Sequence, residues 1–129
     1  MKFLRRHRLS KALDNFVMKL GPALTRRYGT REQYTVLQVS KTIQALKLSE
    51  RHTAYAIAIF RHEESKNTIS LFDMDQPFLN LLRKEIGDRY FDGNPHYSVS
   101  DVLRLSKSRG WQGGAAPNWQ ANRYGRTSL

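Results

Sequence analysis

The side chains that could do chemistry are few and scattered. Histidine is the first place to look for metal or acid–base work, and the four here, His7, His52, His62 and His96, do not form H-E-x-x-H or any other recognised ligand spacing. His62 is followed by Glu63 and Glu64, but three consecutive positions point around a helix end and cannot converge on one ion without further ligands. Asp73 and Asp75 make a D-x-D at an expected helix start, where carboxylates stabilise exposed backbone N–H groups and capping explains them. Glu85, Asp88 and Asp92 flank Gly87, yet paired carboxylates do acid–base work only where burial shifts their pKa values. No nucleophile elbow, phosphate-binding P-loop or dinucleotide fingerprint occurs. With no cysteine in the chain, thiolate zinc sites, iron–sulfur clusters and thiol nucleophiles are excluded. The expectation is a non-enzymatic protein with no catalytic residue, no metal site and no cofactor.

Charge carries more information. The net charge of +11 divides into +7 over residues 1–33, zero over 34–104 and +4 over 105–129. A balanced middle with basic ends suggests a polyanionic partner more strongly than uniform basicity does. The front end packs Lys2, Arg5, Arg6, Arg8 and Lys11 together, with Arg26, Arg27 and Arg31 further on. At this density such residues neutralise phosphates and release counterions. The rear end interleaves Arg109, Trp111, Trp119, Arg123, Tyr124 and Arg126, a mixture that stacks on unpaired bases while holding their backbone. The candidate nucleic-acid-binding set is therefore Lys2, Arg5, Arg6, Arg8, Lys11, Arg26, Arg27, Arg109, Trp111, Trp119, Arg123 and Arg126. Three other readings stand beside it. The Leu9 to Leu20 stripe packs on the core and the charges only face water for solubility, the tail is a linker, or Phe3, Leu4, Leu9 and Leu13 bring the front helix to a partner protein or an anionic membrane surface.

The elements that must position these residues read as helices. Leu9, Leu13, Phe16, Val17 and Leu20 share one helical stripe, and Gly21 is expected to end that helix in a left-handed conformation before a short helix from Pro22 to Tyr28. Thr35 with Gln38 makes a capping box ahead of Val36, Val39, Ile43 and Leu46, and Ser49 is placed to cap the next helix. Thr53 to Phe60 is ambiguous, since Tyr55, Ile57 and Ile59 alternate with alanines and could pair with 67–72 as a hairpin, but three alanines favour helix. Asp75 and Pro77 open a helix with Phe78, Leu81, Leu82 and Ile86 as its stripe and Gly87 as its stop. Ser98 with Asp101 caps a last helix through Val99, Val102, Leu103 and Leu105. A helix-turn-helix over 35–60, with the second helix as reader, is also conceivable.

The fold expected is all-α, a single small bundle of about five or six helices with a flexible Gly/aromatic C-terminal tail; the alternative is α+β with a hairpin at about 54–72. The domain plan is a basic arm at 1–8, a helical domain at 9–107 and a flexible basic tail at 108–129. No apolar run is long enough for a membrane span, the longest being Ala54 to Phe60, and the basic start lacks a signal peptide's apolar run, so a cytoplasmic protein is expected. Tyr34-Thr35, Gln38-Val39, Leu46-x-Leu48, Tyr55-Ala56-x-Ala58-x-Phe60, a helix like Leu81 to Ile86 and a glycine-rich end resemble a group of uncharacterised bacterial proteins of unknown function. The resemblance covers about half the chain. It implies a compact helical domain with a floppy tail and transfers no catalytic residue.

Overall fold

The computed structural model describes residues 2–63 and 74–117, with residues 2–5 as backbone only, and all regular structure among them is helical. Helix α1 (Lys2–Asn15) continues through a π-turn at Phe16–Leu20 into α2 (Gly21–Tyr28) without a break. Gly21 is therefore not the left-handed stop expected of it; its φ is −55° and its N–H donates to the Phe16 carbonyl. The wider turn answers a steric problem, because the Pro22 ring has no N–H to give and would collide with the carbonyl four residues back in a regular helix. Gly21 is needed for close packing instead: a Cβ there would lie 3.3 Å from Leu103 Cδ2 and 3.4 Å from the Phe60 ring. The α1 stripe behaves as expected, with Leu13, Phe16, Val17 and Leu20 buried.

The Thr35–Gln38 capping box is formed in full at the start of α3 (Val36–Leu46), and Lys47 closes it in a left-handed conformation at φ 56°. Ser49 does not cap the next helix. A 3-10 turn at Glu50–His52 intervenes, and the Ser49 hydroxyl lies 2.8 Å from His52 Nδ1. Then α4 (Thr53–Phe60) follows, so 53–60 is helix and not one arm of a hairpin. The segment 67–72, its alternative strand partner, lies outside the described residues. Ala56 to Phe60 are wholly buried, and α4 packs against α3 and the helices at 76–90 and 99–106. Only its first turn, Thr53–Tyr55, is half-exposed, so α4 offers no continuous face of the kind a recognition helix lays in a DNA groove.

Helix α5 (Gln76–Tyr90) is capped by Asp75, whose carboxylate accepts from the Phe78 N–H. Its buried face is Leu79, Leu82, Arg83, Ile86, Gly87 and Tyr90, while Phe78 and Leu81 stand 40% and 57% exposed. The expected stripe was rotated because a count of apolar residues ignores Arg83 and Gly87, which hold inward positions of the same period. Nor does Gly87 end the helix. A Cβ there would sit 2.4 Å from the Asn94 carbonyl oxygen, so glycine admits the returning loop against the helix side. Helix α6 (Val99–Ser106) has the full Ser98–Asp101 capping box. Residues 108–117 stay with the core: the Ala116 N–H donates to Tyr90 O at 2.9 Å and the Trp111 indole N–H to Gly114 O at 2.8 Å.

Gly87→Ala forces a methyl into backbone, so it is expected to cost about 3 kcal/mol or more in urea denaturation. Gly29→Ala, at φ +83° with open space around it, should cost about 1 kcal/mol, the left-handed penalty alone. Equal costs at the two positions would contradict the packing role given to Gly87.

Candidate functional site

Positions 8 and 11 are one helical turn apart, so Arg8 and Lys11 project side by side from the exposed face of α1. The chain reversal after α3 lays the Glu50–His52 turn beside them. Arg8, Lys11, Asn15, Ser49, Arg51 and His52 then line a groove of 400 Å³ together with Ala12, and none of these is an acid. Among the described residues no carboxylate lies within ion-pairing distance of Arg8, Lys11 or Arg51. Three unpaired cations, an amide and a hydroxyl on one concave strip suit an anion with several oxygens. Burial, and secondarily the Arg51 charge, lower the His52 pKa, so the ring is mostly neutral at pH 7. Among the described residues the Ser49–His52 contact has no acid to orient the imidazole as in a hydrolytic triad, and it closes a local turn.

Asp14, the acid of α1, is turned away from the groove. Both Asp14 oxygens accept from Arg89 Nη2, at 3.0 and 2.9 Å, and Asp14 Oδ1 also accepts from the Tyr90 hydroxyl at 2.6 Å and the Gly114 N–H at 3.3 Å. One carboxylate thus ties α1 to α5 and to the C-terminal segment, and it does not neutralise Arg8 or Lys11.

The other candidates are dispersed. The side chains of Lys2 and Arg5 lie outside the description, and Arg6 is exposed on α1. Arg26 and Arg27 are exposed on the last turn of α2, where cations complement the helix dipole, and Arg27 sits 5.7 Å from the Tyr28 ring centre. Arg109 is exposed. Trp111 packs edge-on to Tyr90 with centroids 6.3 Å apart, so its ring is engaged with the core. Trp119, Arg123 and Arg126 lie outside the described residues. The structure thus joins Arg8 and Lys11 from the sequence set and adds Arg51 and His52, which were absent from it. Their only sequence signal was a polar E-R-H turn breaking an apolar context.

Sequence reasoning also missed a buried polar cluster at the end of α4. Arg83 is 5% exposed; its Nη1 donates to Ala58 O (2.8 Å) and Arg61 O (3.0 Å), its Nη2 to Tyr97 O and its Nε to Pro95 O (3.2 Å). Its guanidinium lies 3.9 Å from the Tyr97 ring centre. Arg61, also buried, donates to Tyr34 O and Glu63 O.

Burial, the main cause in each case, raises the phenol pKa values of Tyr90 and Tyr97 well above the ordinary 10, with the Asp14 bond adding to Tyr90. Burial and Glu85 push Tyr55 up to about 12. The folded chain therefore keeps these protons at pH values where the unfolded chain gives them up. This stabilisation is complete below pH 10 and disappears as pH rises through the folded values. The melting temperature should fall steadily above about pH 10, and Tyr90→Phe should flatten the fall; an alkaline limb unchanged in that variant would contradict the assignment.

No helix among the described residues is long and apolar enough to cross a membrane. No curated protein and no solved structure matches the chain. A family model does, over residues 2–128, far beyond the half of the chain that carries the sequence resemblance: the chain belongs to a family of unknown function (DUF6559).

Proposed function

We propose that this protein is a non-enzymatic, cytoplasmic binding module whose α1 groove holds the phosphate backbone of a nucleic acid. The observation that carries the reading is the groove itself, where among the described residues Arg8, Lys11 and Arg51 have no ion-pair partner and no acid belongs to the lining. The charge layout supports it, since +7 of the net charge belongs to the segment containing Arg8 and Lys11. Contacts of this kind read phosphate and not base, so the binding is sequence-independent and salt-sensitive. The runner-up, a partner or membrane contact through the apolar stripe of α1, is weakened because Leu13, Phe16, Val17 and Leu20 are already buried in the core.

Fluorescence anisotropy with a labelled duplex at rising salt tests this. Three phosphate contacts give a log–log salt slope of about −2.7. The triple variant Arg8→Glu/Lys11→Glu/Arg51→Glu should lose binding by about a hundredfold and nearly all of that slope. Unchanged affinity in the variant, or none in the parent protein at low salt, would reject the proposal. Because protonated His52 adds a charge facing Arg8 and Lys11 across the groove, affinity should rise as pH falls below 6.5. The rise should be smaller in His52→Gln; an identical pH response would remove His52 from the site.

A further inference from the structure

A second concave site shares no lining residue with the α1 groove. It is a cleft of 540 Å³ between the turn at Thr30–Glu32, Arg83 of α5 and the first turn of α6. That volume falls within the range of about 300–1,000 Å³ typical of small-molecule sites. Its walls divide chemically: Tyr97, Val99 and Leu103 supply an apolar side, and Arg31, His62, Arg83 and His96 supply basic groups against a single acid, Glu32.

Arg83 is the unusual member. Of the five N–H donors a guanidinium carries, four are taken by carbonyl oxygens, and the second N–H of Nη2 has no partner among the described residues. No carboxylate among them pairs with it, although the residue is 5% exposed. Carbonyl dipoles satisfy hydrogen bonds but do not cancel a full charge, and a buried cation normally has a counter-charge. The adjoining wall adds donors. In α6 the Asp101 N–H is taken by the Ser98 hydroxyl, while the N–H groups of Val99 and Ser100 lie in the first turn, where a helix leaves them without internal acceptors.

We infer that this cleft binds a small organic anion, a carboxylate or phosphate monoester carried on an apolar body about the size of one aromatic ring. The oxyanion supplies the charge missing opposite Arg83 and accepts from the first turn of α6, with Arg31 at the entrance. The apolar body rests on Tyr97, Val99 and Leu103. This inference stands independently of the nucleic-acid reading.

The test is calorimetric titration of the full chain with phenyl phosphate and with benzoate, set against inorganic phosphate and benzyl alcohol. Binding of either aromatic anion with Kd below about 1 mM, at least tenfold tighter than both controls, supports the site, and the tighter of the two identifies the head group. Arg31→Glu and Ser100→Asp alter exposed positions and should each weaken that binding at least fivefold with the melting temperature unchanged. The Arg8→Glu/Lys11→Glu/Arg51→Glu variant should bind the aromatic anion like the parent, which separates failure here from failure of the groove. No binding by either anion, equal binding of benzyl alcohol, or full affinity in both cleft variants would overturn the inference.

Discussion

The C-terminal part of α4, Ala56 to Phe60, is buried, and its last carbonyls have no partners within the helix and no water to turn to. Arg83 resolves this. Its Nη1 donates to Ala58 O and Arg61 O, the Tyr97 hydroxyl adds a second bond to Ala58 O at 3.1 Å, and the Tyr34 N–H closes Phe60 O at 3.0 Å. A cation at a helix C-terminus also meets the negative end of the dipole, which offsets part of the cost of a buried charge that has no carboxylate partner among the described residues. The remaining bonds, to Pro95 and Tyr97, fix the segment leading into α6. One side chain therefore sets the rotation of α5, the end of α4 and the approach to α6. Phe78 and Leu81 face outward because Arg83 and Gly87 must face inward.

The same economy of charge organises the other side of the molecule. Asp14 is committed to Arg89, Tyr90 and Gly114, so the acid of α1 holds the fold together while Arg8 and Lys11 on the same helix find no carboxylate partner among the described residues. A basic surface arises here by placing the neutralising group behind the helix. The net charge of the segment alone does not reveal this, because Asp14 counts as −1 wherever its side chain points.

Local signals in the sequence were read well where they were self-contained. The capping boxes Thr35–Gln38 and Ser98–Asp101, the Asp75 cap and the α1 stripe each involve residues within a few positions of one another, and the physics of each is complete at that range. Glycine misled because φ freedom is only one of its uses. Gly21 and Gly87 are close-approach residues in helical conformation, and what approaches them comes from Phe60, Leu103 and Asn94, which no local pattern connects. The groove was half legible: Arg8 and Lys11 share a helix face by spacing, but Arg51 and His52 join them only through the chain reversal after α3. Arg83 was illegible, since a lone arginine in an amphipathic helix reads as solvent-facing until the burial of α4's end is known.

The account rests on Arg83 acting as a fork that reaches several separated carbonyls, and Arg83→Lys tests that most directly, because lysine keeps the charge and loses the fork. Equilibrium urea denaturation of this variant should show a loss of about 3 kcal/mol or more, or no cooperative fold at all. A variant within about 0.5 kcal/mol of the parent would show that the charge alone suffices and that the guanidinium is not what holds α4, α5 and the approach to α6 together.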